Sequence, residues 1–177
     1  MNNLKIYIVR HGKTDWNVSG LIQGKTDIPL NKIGEKQAEI AKEKIEDKID
    51  ICFSSPLKRA IKTAQILSDV NPIIDKRLVE RNMGEFEGKP ALNYDSKKYW
   101  DYKSNYSDNG VEPIQDLFKR VNSFKNEIKE KYSDKTILIV SHGATVRALH
   151  FALTSYKEDE DFLKFDVPNC AIFKYDL

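Results

Sequence analysis

Ile6-Tyr7-Ile8-Val9-Arg10-His11-Gly12 is the stretch that decides the fold. A short, continuous apolar run reads as a strand buried on both faces, the kind found in parallel sheets covered by helices. It stops at a histidine followed by glycine, which sets an imidazole at the carboxyl edge of the sheet, where open α/β sheets bind their ligands. Ile137-Leu138-Ile139-Val140-Ser141-His142-Gly143 repeats the arrangement late in the chain. Two strand ends each deliver a histidine, and together they point to an active site.

Around these runs, strand and helix patterns alternate. Strands are read at 4–10, 49–54, 72–75, 136–140 and 171–175. A glycine-punctuated loop covers 12–29, after which Ile33, Gln37, Ala38, Ala41 and Ile45 recur at helical spacing and predict a helix over 34–47. Ser55 and Pro56 read as N-cap and first residue of a helix whose apolar face is Leu57, Ala60, Ile61, Ala64 and Leu67. Ile114, Leu117, Phe118, Val121, Phe124 and Ile128 form the strongest stripe, over 113–131, and a further helix is read at 144–153. Residues 81–110 are polar, aromatic and weakly periodic, an excursion over the sheet. The alternation predicts an α/β fold: a three-layer α/β/α sandwich with a largely parallel central sheet, residues 1–177 forming one domain.

Composition narrows the partners. The 177 residues, 40% hydrophobic, suffice to bury one sizeable core. Twenty-nine Lys and Arg against 27 Asp and Glu give a formal charge of +2, without the basic surplus that nucleic acid or a membrane surface would call for. A small anionic ligand needs local positive charge only. The apolar run in MNNLKIYIVR is too short for a signal-peptide core or a spanning helix, so a cytoplasmic location is expected. Cys52 and Cys170 lack metal or redox spacing and read as buried small hydrophobes. Gly20-Leu21-Ile22-Gln23-Gly24-Lys25-Thr26 looks like a P-loop but is one residue short between its glycines, and the histidines and cysteines show no zinc spacing. No cofactor and no metal ion are expected.

The polar residues collect at strand exits. Arg10-His11 follows the first strand, Ser54-Ser55-Pro56-Leu57-Lys58-Arg59 the second, and Ser141-His142-Gly143 the late one. Helix N-termini present free N–H groups and positive dipole ends, and two guanidiniums suit the planar oxygens of a phosphoryl group. The pattern predicts an anion pocket.

At this point the chain resembles the histidine phosphatase superfamily, the phosphoglycerate mutase-like branch that includes small-molecule phosphatases. The motifs that carry the likeness run in family order: Arg10 to Asn17, Gln23 to Leu30, Ser54 to Ala60 with Thr63-Ala64, Leu78-Val79-Glu80 with Gly84-Glu85-Phe86-Glu87-Gly88, and Ser141-His142-Gly143 with Arg147. The resemblance implies that His11 is the nucleophile and becomes a phosphohistidine. It also implies that Arg10, Arg59 and His142 hold the phosphoryl group, that Glu80 is the proton donor, that Asn17 lines the pocket, and that Gln23 and Gly24 face the substrate.

Elementary chemistry agrees with these roles. A neutral imidazole is a competent nucleophile near pH 7, and covalent catalysis splits hydrolysis into two transfers through one phosphate pocket. Flanking arginines lower a histidine's pKa and keep the ring neutral. Glu80 has the opposite need, since it must carry a proton when it meets the leaving oxygen. The cationic groups meet the charge of the transition state without a divalent metal. Plainer readings compete: core histidines, an ordinary helix arginine at 59, and Glu85 or Glu87 in place of Glu80. Arg147 reads as an internal strut, His150 as structural or exposed, and the aromatic and lysine run 94–106 as a substrate-covering flap or a solvated loop.

Three functions follow. The first is a metal-independent phosphomonoesterase acting on a small phosphorylated metabolite; the second, a phosphoglycerate mutase-type isomerase; the third, a non-catalytic phosphate-binding module. A binder needs neither nucleophile nor proton donor. Mutases of the family follow the glutamate with Arg-His-Tyr and carry a longer middle insertion with paired arginines, where this chain has Arg81-Asn82-Met83 and only Lys97, Lys98 and Lys103. The phosphatase reading is therefore preferred. The natural substrate and the oligomeric state are left open.

Overall fold

The computed structural model describes residues 3–177; Met1 and Asn2, where the segment read for a leader begins, lie outside them. In chain order the elements are β1 (Lys5–Arg10), a single turn α1 (Asp15–Val18), α2 (Lys32–Lys42), β2 (Ile51–Ser54), α3 (Lys58–Leu67), β3 (Ile73–Ile74), α4 (Ser96–Tyr99), α5 (Ile114–Lys131), β4 (Thr136–Ser141), α6 (Gly143–Thr154) and β5 (Ile172–Asp176). Residues 81–110 carry only α4 and isolated single turns.

The sheet runs β3-β2-β4-β1-β5, with every pair parallel except β1–β5. Its register explains why the two histidines meet. Arg10 lies opposite Ser141, and Ser54 opposite Val140. The next residues, His11 and His142, therefore leave the same edge side by side, with Ser55 alongside.

Alternation along the central strands feeds two cores. Ile6, Ile8, Ile137 and Ile139 face α5 and α6 with Phe118, Phe124 and Leu149, whereas Tyr7, Val9, Leu138 and Val140 face α2 and α3 with Ala41, Ala60 and Ala64. Full burial of each large aliphatic or aromatic side chain stabilises by roughly 1.5–3 kcal/mol. The three-layer α/β/α sandwich of mostly parallel strands is the architecture the alternation predicted.

Local differences have identifiable causes. The predicted helix over 34–47 starts at Lys32, where Asn31 Oδ1 accepts from Gly34 N at 2.9 Å, and stops at Lys42. Lys44 N and Ile45 N then bond to carbonyls three residues back, so a tight turn, not a helix, delivers Ile45 to the core. Ser55 and Pro56 do not begin α3. Leu57 occupies the cap position without a side-chain bond, and the free N–H of Lys58 is met instead by Asp27 Oδ1 at 2.8 Å, from a distant loop. The loop over 12–29 contains α1, closed by a capping box between Thr14 and Asn17. Cys52 is buried as expected, but Cys170 is only half-buried and sits at φ +58°.

Candidate active site

His11 is 2% exposed, and its ring centroid lies 5.1 Å from that of the fully buried His142. Its Nδ1 donates to its neighbour's carbonyl, Gly12 O, at 2.6 Å. A carbonyl only accepts, so Nδ1 carries the proton and Nε2 the lone pair. Gly12 is required by close approach: a Cβ there would stand 2.4 Å from Gly34 O. Gly12 N donates to Thr63 Oγ1, which donates to Arg59 O, tying the His11 loop to α3. Burial first, then the charges of Arg59 and Arg10, push the His11 pKa well below its ordinary 6.5. The sequence identified the arginines; burial, the larger cause, comes from the fold. His142 is depressed for the same leading reason, and its Nε2 pairs with Ser55 Oγ at 2.7 Å.

Arg59 is fully buried on the first turn of α3, where it donates to Thr26 O at 2.7 Å and Gly24 O at 2.8 Å. Burial lowers its pKa to about 10, which leaves it charged at neutral pH. Arg10 donates to Val167 O at 2.6 Å. Arg10 Nε, Arg59 Nε and His142 Nδ1 are buried with no partner among the described residues. The loop that holds Arg59 is itself held by Glu87, which accepts from Lys25 N (3.0 Å), Thr26 N (3.0 Å), Thr26 Oγ1 (2.5 Å) and Met83 N (3.1 Å). Gly24 has φ +51°, and a Cβ there would lie 2.1 Å from Glu87 Oε1.

Glu80 has two attachments. Thr145 Oγ1 donates to Val79 O and Ser141 Oγ to Leu78 O, each at 2.7 Å, latching the segment before it onto β4 and α6. Its carboxylate accepts from Ala144 N and Thr145 N at 3.2 Å and from Arg81 N at 2.8 Å. It therefore caps α6, whose own cap position, His142, makes no side-chain capping bond.

A cleft of about 220 Å³ gathers these groups. Arg10, His11, Asn17, Gln23, Gly24, Arg59 and Glu80 all line it; His142 stands behind, fully buried. Glu85 and Glu87, the competing carboxylates, do not line it. Asn17 and Gln23 are partly committed elsewhere: Asn17 Oδ1 closes the α1 cap, and Gln23 Oε1 accepts from Thr14 Oγ1 at 2.7 Å. The cleft also brings in Arg81, Tyr94, Trp100 and Arg147. Arg147, read as a strut, is both strut and wall: its Nε donates to Phe165 O at 2.9 Å. Tyr94 and Trp100 show that the run 94–106 reaches the cleft, and Tyr94, Tyr99, Phe86 and Tyr106 pack as one aromatic cluster. His150 is structural, stacked 3.6 Å from Phe165 and paired with Tyr175 Oη. A larger hollow, about 430 Å³, lies across Trp100 among mixed lysines and acids such as Lys97, Lys103, Glu158 and Asp159, with no histidine on its wall. Among the described residues no group of three or more His, Cys, Asp or Glu is placed to hold a metal, and no helix is long and apolar enough to cross a membrane.

Histidines from two neighbouring parallel strands, set among buried guanidiniums at the carboxyl edge of an α/β/α sandwich, define a class of phosphate-handling enzymes. Residues 6–177 match the histidine phosphatase superfamily (branch 1), and the chain belongs to that family of phosphatases with a histidine nucleophile. It is 41% identical over 148 residues to the uncharacterized phosphatase PhoE of Bacillus subtilis, covering 81% of this chain and 74% of that one. It is 35% identical over 161 residues to a putative phosphoserine phosphatase of Hydrogenobacter thermophilus, covering 85% and 78%. Among solved structures, the phosphoserine phosphatase of Entamoeba histolytica in complex with 3-phosphoglyceric acid superposes with a TM-score of 0.81 at 31% identity, covering 97% of this chain and 89% of that one.

Proposed function

We propose that the protein hydrolyses a small phosphate monoester through a phosphohistidine on His11, without a metal ion. The observation that carries this reading is the tautomer of His11: Nδ1 is committed to Gly12 O, so the lone pair resides on Nε2, in a cleft that also holds Arg10, Arg59 and Glu80. Nε2 attacks phosphorus as the ester P–O bond breaks, and Glu80 gives its proton to the departing oxygen. Water then attacks phosphorus and gives a proton to Glu80, the N–P bond breaks, and phosphate leaves with His11 and the acid restored. Arg10, Arg59 and His142 meet the charge on the equatorial oxygens, the work a divalent cation does elsewhere. Asn17, Gln23 and Gly24 line the substrate side. The relatives named for phosphoserine support a small phosphorylated metabolite as substrate. Residues 1–177 act as one domain with 81–110 as its cover. Two unpaired thiols, Cys52 and Cys170, fit a reducing cytoplasmic setting.

Two measurements test the reading. Protein quenched in alkali during turnover should carry an acid-labile phosphoryl group on His11 by mass spectrometry, and His11→Ala should lose at least about a thousandfold in turnover. Label on a serine, an aspartate or His142 overturns the assignment. Hydrolysis of p-nitrophenyl phosphate should survive excess EDTA, and a strict, restorable need for divalent ions counts against the mechanism.

A further inference from the structure

His11 and His142 leave the sheet side by side, yet they are tied to the scaffold at opposite nitrogens. His11 uses Nδ1, on Gly12 O, whereas His142 uses Nε2, on Ser55 Oγ at 2.7 Å. The other nitrogen of His142, Nδ1, is buried with no partner among the described residues. Burial first, then Arg59, His11, Arg10 and Arg120, hold the pKa of this ring well below 6.5. The ring is therefore neutral, and what it can do depends on which nitrogen carries its one proton.

Ser55 settles that choice. It is fully buried between β2 and α3, and each of its polar atoms is engaged. Its N–H donates to Val140 O at 3.1 Å and its carbonyl accepts from Ser54 Oγ at 2.9 Å, which fixes it against the strand that leads to His142. Its Oγ accepts from Leu57 N at 3.3 Å. The hydroxyl proton then has one acceptor among the described residues, His142 Nε2. Were Nε2 the donor instead, Ser55 Oγ would take two N–H groups and leave its own proton buried without an acceptor. His142 Nδ1 would then be a bare lone pair, with nothing to offer a phosphoryl oxygen, which is an acceptor too.

We infer that Ser55 is a positioning residue: its hydroxyl donates to His142 Nε2, sets the proton on Nδ1, and so makes a neutral imidazole a hydrogen-bond donor to the phosphoryl group. The two histidines then share one tautomer and are turned opposite ways. His11 gives its proton to the scaffold and keeps its lone pair for the substrate; His142 gives its lone pair to the scaffold and keeps its proton for the substrate. A ring with no free lone pair cannot attack phosphorus, so the same bond keeps the phosphoryl group on His11 and off His142. The inference rests on reading the His11 side as the phosphoryl site, and names what holds the second histidine to its part there.

The test combines NMR of isotope-labelled histidine rings, with His142 assigned by its loss in His142→Gln, and calorimetry with inorganic phosphate. Near neutral pH the parent should show His142 protonated on Nδ1 and bare on Nε2, and Ser55→Ala should shift that proton toward Nε2. Phosphate should bind Ser55→Ala at least about tenfold more weakly than the parent, as the loss of one hydrogen bond to a charged acceptor implies. Ser55→Thr, which keeps the hydroxyl, should restore the tautomer and bring binding back to within about threefold. A parent His142 protonated on Nε2 overturns the inference, and that measurement needs no variant to fold. Unchanged phosphate binding by Ser55→Ala overturns it too. So does weaker binding with the tautomer unmoved, the result expected if Ser55 served only the Leu57 N–H. The stated tautomer and binding loss, with no phosphate release from any ester by the intact protein, keeps Ser55 in its role and fails the hydrolase reading. Ester hydrolysis by a parent protonated on Nε2 fails the inference alone.

Discussion

Arg59 and Glu87 are not bonded to each other, yet they hold the two ends of one peptide group: Arg59 Nη2 donates to Gly24 O at 2.8 Å while Glu87 Oε1 accepts from Lys25 N at 3.0 Å. Thr26 repeats the arrangement, its N–H on Glu87 and its carbonyl on Arg59. A carboxylate outside the cleft thus fixes a guanidinium inside it through the loop between them.

Glu87→Gln should therefore weaken the phosphate site without touching it. The amide keeps the size of the carboxylate but loses charge and one acceptor oxygen, and hydrogen bonds to a charged partner are worth about 1.5–3 kcal/mol. Turnover should fall roughly 10- to 100-fold, and inorganic phosphate should inhibit correspondingly less well. Steady-state kinetics with phosphate as product inhibitor checks this; an unchanged inhibition constant removes Glu87 from the positioning of Arg59.

That relationship was invisible in the sequence, and the reason is physical. Strand ends could be read because a buried strand declares itself as a continuous apolar run, and register then forces His11 beside His142. The α5 stripe could be read because Ile114 to Ile128 keep one helical face. Residues 81–110 have no such period. Their shape comes from side chains meeting across turns, such as Tyr94 stacked on Tyr99 and Lys98 over Tyr106, so composition left 94–106 between a flap and a solvated loop and could not say that Arg81, Tyr94 and Trp100 reach the cleft. Ser55 has the residue type of a helix cap, but Leu57 takes that position; the Ser55 hydroxyl pairs with His142 and accepts from Leu57 N two residues on, short of the helix itself.

The histidines make stability depend on pH. His11 and His142 are pushed well below 6.5 in the folded protein, mainly by burial, and His150 is lowered too. Unfolded, each binds a proton as pH drops through about 6.5, while folded His11 and His142 stay neutral. The unfolded state then holds more protons, so stability is full above pH 6.5 and declines as pH falls below it, by at most about 1.4 kcal/mol per pH unit for each of these two buried histidines. Urea unfolding at pH 7.5, 6.5 and 5.5 measures the slope. His142→Gln should flatten it; a variant slope equal to the parent's shows that His142 is not held neutral.

In the proposed mechanism Glu80 combines an acid with the helix cap seen in the structure, and the two roles separate by readout. Glu80→Gln opposes the Ala144 N–H with an amide nitrogen and should cost about 1 kcal/mol in stability, as cap removals do. Loss of the transferable proton should lower turnover by roughly 10² to 10⁴ on alkyl phosphates and by much less on p-nitrophenyl phosphate, whose leaving group needs no acid. Glu85→Gln should leave both rates near the parent's, since Glu85 does not line the cleft. A uniform loss on both ester types would make Glu80 a cap and no more.

Hydrolysis and mutase chemistry share the His11 step and differ in what happens next. A mutase must keep the phosphoryl group on the histidine while a carboxylated acceptor turns and presents a different hydroxyl, so the acceptor has to be held through the exchange and water kept out. Here Arg81 and Arg147 lie against a single ring, Trp100, on one wall of the cleft, an arrangement with no second clamp for a turned acceptor among the described residues. The run 94–106, which brings Tyr94 and Trp100 to the cleft, offers Lys97, Lys98 and Lys103 but no paired arginines to clamp a reoriented acid. The acceptor should leave and water should follow. Incubation with 3-phosphoglycerate, with and without 2,3-bisphosphoglycerate as primer, should release inorganic phosphate and glycerate, with 2-phosphoglycerate forming at less than about a hundredth of that rate, a difference of roughly 2.7 kcal/mol in barrier. Formation of 2-phosphoglycerate that outpaces phosphate release, and that the primer accelerates, would reverse the assignment to the isomerase.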